Sequence, residues 1–159
     1  MRVAVYSGTF DPVTLGHLDL VSRATRLFDS VVVAIGISPR KKPLFSLEDR
    51  LYMLQEATAH YRGVSIDHYE GLLAAYARRI KATAIIRGLR AVSDFEYELQ
   101  MALANRKLFH EAETIFLMPS EKFTYLNSTL VKDILLSGGE ISSFVPPVVI
   151  EVAKKRGLI

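Results

Sequence analysis

Short, nearly continuous apolar runs alternate along the chain with longer stretches in which apolar residues recur at three- and four-residue spacing. Runs of the first kind read as strands buried on both faces, and stretches of the second kind as helices packed by one face. The run from Val3 to Ser7 is broken by Gly8 and Pro12, and a helical pattern begins at Gly16. In that helix Leu18, Leu20, Val21, Ala24, Leu27 and Phe28 approximate an apolar face, with Asp19, Arg23 and Arg26 on the other side. Residues 30–37, SVVVAIGI, form a β-branched run suited to a central parallel strand. The run ends at Ser38-Pro39-Arg40-Lys41-Lys42-Pro43, where two prolines exclude a helix interior. Ser46, with Asp49 three residues on, predicts a capping box opening a helix that reaches about Ala59.

The second half repeats the alternation. Val64 to His68 predicts a third strand near a sheet edge, and Gly71-Leu72 start a helix to about Ile80, with Arg78, Arg79 and Lys81 complementing its dipole. Ala82 to Ile86 gives a fourth strand, from whose end Arg87-Gly88-Leu89-Arg90 emerge. A capping box at Ser93-Asp94-Phe95-Glu96 opens the longest helix, to about Phe109, and Thr114 to Met118 is a fifth strand. Asn127 or Ser128 caps a helix through Leu136, which Gly138-Gly139 ends, and after Pro146-Pro147 a final helix runs from Val148 to Lys155. Strands alternating with helices imply an α/β fold: a Rossmann-like, doubly wound parallel five-stranded sheet in one domain, 1–159, with C-terminal helices. Its ligand site is expected outside the strand C-termini, where strand order switches. On the long helix Phe95, Leu99, Ala102 and Leu103 form one apolar face, expected on the sheet. Tyr97, Met101, Ala104 and Leu108 form another, read either as more core or as a subunit interface.

Composition bounds these elements. With 159 residues, half of them hydrophobic, one sizeable core is expected. The chain has no cysteine, which removes disulfides and thiolate metal sites. No leader-like segment precedes the first strand pattern, and no apolar run approaches the roughly 20 residues of a membrane span. The expectation is a soluble cytoplasmic protein with no membrane partner. The net charge is only +3, and the basic groups Arg40-Lys41-Lys42 and Arg87 with Arg90 lie after predicted strands. A nucleic-acid binder would instead show a basic stripe interleaved with stacking aromatics, so no nucleic-acid partner is expected.

Exits of parallel strands gather at one end of the sheet, which makes neighbours of distant residues. Thr9 and His17 come from the first exit, Lys41 from the second, Leu72 and Leu73 from the third, Arg87 and Arg90 from the fourth, and 123–129 from the fifth. One imidazole, one ammonium, two planar guanidinium forks and several hydroxyls suit phosphate groups. The fingerprints GxGxxG and GxxxxGK[ST] do not occur, which speaks against dinucleotide redox and P-loop chemistry. His60, His68 and His110 lack metal-ligand spacing.

Particular motifs narrow this. Tyr6-Ser7-Gly8-Thr9-Phe10-Asp11-Pro12, Thr14-Leu15-Gly16-His17, the 38–43 loop, Ile86-Arg87-Gly88-Leu89-Arg90, Asp94-Phe95-Glu96-Tyr97-Glu98 and Asn127-Ser128-Thr129-Leu130-Val131-Lys132 stand in register along the chain. Together they resemble the phosphopantetheine adenylyltransferase family of the HxGH nucleotidyltransferases, with Thr14 in place of the first histidine. Ser7 stands where many relatives have proline, and Lys132 where the wider superfamily has arginine.

The resemblance implies reversible adenylyl transfer from ATP to 4'-phosphopantetheine, giving dephospho-coenzyme A and pyrophosphate with Mg2+ assisting; it does not say which residues would hold the metal. It implies a homohexamer and inhibition by coenzyme A. By resemblance His17 stabilises the transition state, with Lys41 and Arg90 acting on the phosphates, and Gly16 leaves room for the nucleotide. Thr9, Lys41, Leu73 and Arg87 would receive the acceptor. Thr9, Phe10, His17, Gly88, Leu89, Arg90, Glu98, Phe123, Thr124, Tyr125, Leu126, Asn127, Ser128 and Thr129 would contact ATP. Arg87 and Arg90 have a structural alternative, ion pairing with Glu96 or Glu98. Rival readings are a sibling transferase with another phosphorylated acceptor and a non-catalytic nucleotide sensor.

Overall fold

The computed structural model describes all 159 residues, Val92 and Ser93 by backbone alone. In chain order the elements are β1 (Val3–Gly8), α1 (Leu15–Ala24), β2 (Ser30–Ile37), α2 (Leu47–Thr58), β3 (Val64–Glu70), α3 (Leu73–Arg79), β4 (Ala84–Gly88), α4 (Val92–Leu108), β5 (Glu113–Leu117), a 3-10 turn (Glu121–Phe123), α5 (Ser128–Leu136) and α6 (Pro147–Lys155). The strands form one parallel sheet in the order β3-β2-β1-β4-β5. Strand order therefore switches beside β1, between β1 and β4, and β3 is an edge as its short alternating pattern predicts.

Period-two alternation assigns the two faces. Ala4 and Tyr6 of β1, Val31, Val33 and Ile35 of β2, and Ala84 and Ile86 of β4 enter the larger core, joined by Leu20 and Val21 of α1, Met53 and Leu54 of α2, Val131 and Leu135 of α5, and Val149 and Val152 of α6. Val5, Ala34 and Ile85 face the opposite side, where the alanines of α3 let that helix lie close, with Tyr69, Tyr76 and Phe109 filling the remainder.

Several boundaries differ from the sequence reading, each for a backbone reason. β3 extends to Glu70 because Tyr69 and Glu70 still pair with Gly36 and Ile37. β4 starts two residues later and runs through Arg87 and Gly88, which pair with Phe116 and Leu117. Arg87 is thus a strand residue. In α2, Ser46 Oγ accepts the Asp49 N–H at 3.1 Å, while the Asp49 carboxylate accepts both Nε and Nη2 of Arg156, at 2.9 and 2.8 Å, tying α6 to α2. Leu27 is left exposed because α1 ends at Ala24.

The long helix departs most. The face of α4 expected on the sheet is not buried: Phe95, Leu99 and Leu103 are exposed, as are Tyr97, Met101 and Leu108, while the buried side chains described are those of Glu98 and Asn105. Its apolar residues lie all round the cylinder, so no single stripe faces the sheet. The helix starts at Val92 after Ala91, and the capping reading for Ser93 concerns a side chain outside the described residues. Among the described residues no helix is long and apolar enough to cross a membrane.

Candidate active site

The exit of β1 sets the geometry. Gly8 leaves room there for the Phe10 ring, which a Cβ would crowd at 3.0 Å. Phe10 itself adopts φ +47°, a conformation that costs an aromatic residue energy and is retained where surroundings enforce it. Its buried ring meets Tyr6 edge-on at 5.3 Å and His17 at 5.0 Å, so the turn and the start of α1 are packed as one body.

His17 lies one turn into α1, whose N-cap is Thr14. The Thr14 N–H donates to His17 Nδ1 at 3.0 Å, Thr14 Oγ1 lies 3.1 Å from the same nitrogen, and the His17 N–H donates back to Oγ1 at 3.3 Å. An imidazole nitrogen that accepts a backbone N–H carries no proton, so the ring is the Nε2–H tautomer and Nε2 remains for a ligand. Burial and the nearby Arg90 guanidinium lower its pKa to about 4. His17 is a neutral donor at physiological pH.

Lys41 reaches back from the β2 exit to donate to Thr9 Oγ1 at 3.1 Å. Its loop is held by buried Asp11, which accepts the N–H groups of Leu44 and Phe45, each at 2.9 Å, and Lys132 Nζ of α5 at 3.0 Å. Arg50 fastens the same turn by donating from Nη1 to the Thr9 carbonyl at 2.9 Å. The β1·β4 ladder ends at Tyr6 and Ile86; beyond it Arg87 Nη1 donates to the Ser7 carbonyl at 3.0 Å. Nε and Nη2 of Arg87 form a fork on Glu98, both at 2.8 Å, and these bonds hold the guanidinium pKa up despite its burial. Arg90 is turned by Asp94, at 3.3 Å, and donates from Nη1 to the Leu126 carbonyl at 3.4 Å. Gly88 permits close passage of α1, since a Cβ there would lie 2.6 Å from Leu20 Cδ1. At Gly16 an added Cβ would only touch Phe123 and Thr14 at 3.6 Å, an ordinary contact.

Two chambers open on these groups. One, of about 480 Å³, is lined by Thr9, Phe10, Gly16, His17, Lys41, Arg87, Gly88, Arg90, Glu98, Phe123, Leu126, Asn127, Ser128, Thr129 and Lys132 among others. The second, of about 430 Å³, is bounded by Tyr69, Leu72, Leu73, Tyr97, Met101, Asn105 and Leu108. Both include Ser7, Gly8, Thr9, Lys41 and Arg87, so they meet at the β1 exit.

Most of the residues singled out from sequence therefore converge. Leu89, Thr124 and Tyr125 do not line either chamber: the Leu89 N–H donates to the Leu117 carbonyl, Thr124 Oγ1 donates to the Glu121 carbonyl, and Tyr125 is exposed. Arg87 and Arg90 both make carboxylate pairs; Glu98 is the partner of one, and Asp94 rather than Glu96 or Glu98 is the partner of the other. Asp11, Tyr69 and Asn105 were not singled out. Position at a strand exit was the available signal for Asp11 and Tyr69. Among the described residues no cluster of three or more His, Asp or Glu is placed to hold a metal ion.

A parallel sheet switching order beside β1, with TxGH opening the next helix and cations from the second and fourth exits, has the build of a nucleotidyltransferase. The cytidylyltransferase-like family matches residues 5–134. The chain is 54% identical over 151 residues to the phosphopantetheine adenylyltransferase of Caldanaerobacter subterraneus subsp. tengcongensis, covering 95% of this chain and 94% of that one. It is 46% identical to that of Thermodesulfovibrio yellowstonii, covering 98% and 97%. The chain belongs to the phosphopantetheine adenylyltransferase family. Its fold is similar to that of Plasmodium falciparum nicotinic acid mononucleotide adenylyltransferase complexed with NaAD, at TM-score 0.71 and 15% identity over 99% of this chain and 96% of that one.

Proposed function

We propose that the protein transfers the adenylyl group of ATP to 4'-phosphopantetheine, reversibly, releasing pyrophosphate and forming dephospho-coenzyme A. The observation that carries this is the junction of the two chambers at Thr9, Lys41 and Arg87, beside His17. Two anionic substrates have to meet there. The chamber lined by Phe123 and by Leu126 to Thr129 takes ATP; the one bounded by Leu72, Leu73, Tyr97, Met101 and Leu108 is apolar enough for a pantetheine arm.

The acceptor phosphate is already an anion near neutral pH, so a strong base is unnecessary. One of its oxygens attacks the α-phosphorus in line as the bond to pyrophosphate breaks. The task left to the protein is to hold two anions together and stabilise spreading charge. Lys41 and Thr9 orient the acceptor phosphate, and Nε2–H of His17 donates to the α-phosphate. Arg90, Ser128 and Thr129 serve the β and γ phosphates. Arg87 meets the acceptor at the junction while Glu98 fixes its plane.

Mg2+ fits this site as part of the nucleotide substrate. The carboxylates facing the ATP chamber, Asp11 and Glu98, are engaged by N–H groups, Lys132 and Arg87, so a Mg2+ ion would arrive with the triphosphate and would there offset its negative charge. The exposed apolar residues of α4 support a homo-oligomer, with the hexamer of the resemblance as the form proposed. Coenzyme A, carrying both a pantetheine arm and an adenine nucleotide, would compete as an inhibitor. The cytoplasm is the proposed compartment.

Acceptor-dependent pyrophosphate release tests the reading. Release should be rapid with 4'-phosphopantetheine and minor with nicotinic acid mononucleotide; the reverse order would support a sibling transferase, and ATP binding without turnover a sensor. In the same assay His17→Ala should lower kcat by about 10²–10³ and leave the Kd for ATP within a few-fold, as loss of one transition-state donor does.

A further inference from the structure

Between the end of β5 and the start of α5 the chain lends Pro119, Phe123, Leu126 and Asn127 to the lining of the ATP chamber, with only the 3-10 turn Glu121–Phe123 as regular structure. Beyond Ser120 its backbone N–H bonds are local, while the Leu126 carbonyl accepts Arg90 Nη1 at 3.4 Å. The Phe123 N–H donates to the Ser120 carbonyl at 2.9 Å, and the Leu126 N–H to the Phe123 carbonyl at 3.1 Å. The turn is wound on Ser120, and Phe123 and Leu126, both lining the chamber and packed on the larger core, follow directly after it.

At the far end the segment is fixed by the Asn127 cap and by Ser128 Oγ, which donates to the Pro12 carbonyl at 2.8 Å. At the β5 end the fixed point is on α1. Asp19 accepts the Ser120 N–H on Oδ2 and the Ser120 hydroxyl on Oδ1, both at 2.8 Å. Arg23, one turn on, donates from Nε to Asp19 Oδ2 and from Nη2 to Ser120 Oγ, both at 2.9 Å. Three of these hydrogen bonds join residues about a hundred positions apart, and the fourth, within α1, ties Arg23 to Asp19. Asp19 is two residues from His17, so a single helix carries the donor and the anchor of the wall.

We infer that Asp19 is a positioning residue for the nucleotide: through Ser120 it sets the 120–127 wall against the helix that presents His17. The inference rests on the proposed assignment of this chamber to ATP. Asp19 contacts neither reacting phosphate in this arrangement. Its loss acts on ATP binding and leaves the chemical step and the acceptor chamber alone.

Asp19→Asn keeps shape and removes the charge. Losing charge-assisted bonds to this wall should raise the KM and the Kd for ATP about tenfold, with kcat at saturating ATP and the KM for 4'-phosphopantetheine within about twofold. Ser120→Ala, which leaves the backbone N–H bond in place, should give a smaller rise of the same kind. The double variant should match Asp19→Asn alone, because both act through one contact. Unchanged ATP affinity, equal shifts in both KM values, a fall confined to kcat, or additive effects would overturn the inference. Calorimetric ATP binding without acceptor separates this from the activity assignment: weakened binding in Asp19→Asn upholds the inference even if the wild type fails to turn over phosphopantetheine. Should Asp19→Asn not fold, Ser120→Ala supplies the same readout, and no change in its ATP affinity then counts against the role.

Discussion

His17 is held in one tautomer by a backbone donor, which makes its chemistry insensitive to side-chain fluctuation. The Thr14 N–H would remain if the Thr14 side chain changed, so this part of the grip on His17 does not depend on the hydroxyl. Neutrality has a thermodynamic consequence. The ring pKa lies near 4 in the folded chain against 6.5 for the free group, because burial and Arg90 disfavour the imidazolium. Between those values the unfolded chain binds a proton that the folded chain does not. Stability from this group is therefore constant above the unfolded pKa and falls as pH drops toward the folded one. Relative to His17→Asn, which does not titrate, the wild type should lose on the order of 1–3 kcal/mol between pH 7 and pH 4.5. Urea midpoints of both proteins across that range check it; parallel pH profiles would show that the ring charges freely when folded.

Hydrophobic periodicity located β2 to the residue, because SVVVAIGI is nearly continuous apolar sequence with its centre, Val33 to Ile35, buried and none of its residues exposed. It shortened β3 and misplaced β4 because their C-terminal residues, Tyr69, Glu70, Arg87 and Gly88, are chosen for the site and pair only through backbone. The meeting of Lys41 with Thr9 was legible, since exits of neighbouring parallel strands must converge. The fork between Arg87 and Glu98 was not, because choosing Glu98 over Glu96 depends on the rotational phase of α4. Capping was readable at both ends of the fold and offers a paired prediction. Ser46 caps α2 away from either chamber, whereas Asn127 caps α5 with Oδ1 accepting the Leu130 N–H at 2.8 Å, next to Ser128 and Thr129 in the ATP chamber wall. Ser46→Ala and Asn127→Ala should each cost about 1 kcal/mol in chemical denaturation. The KM for ATP should rise only in Asn127→Ala; a similar rise in both would mean that global stability, and not the local wall, governs nucleotide binding.

The whole molecule leaves one surface unexplained by its own core. Tyr97 and Leu103 are 60% and 56% exposed, and Phe95, Leu99, Met101 and Leu108 are exposed beside them on a helix whose buried described side chains are polar. A 17-residue helix displaying six large apolar side chains would be a poor solution for a monomer, since water contact costs roughly 25 cal/mol for each Å² of apolar area left uncovered. Copies of the same chain related by symmetry can cover it. Tyr97, Met101 and Leu108 also bound the second chamber, so the surface that needs covering is continuous with the proposed pantetheine site. Sedimentation should find an oligomer at micromolar concentration, and Leu103→Glu, which lies outside both chambers, should shift it to smaller species. In the dissociated form the KM for 4'-phosphopantetheine should rise more than the KM for ATP, because α4 lends Tyr97, Met101, Ala104, Asn105 and Leu108 to the acceptor chamber and only Glu98 to the other. A wild-type monomer with full activity would leave the exposed face of α4 without this role.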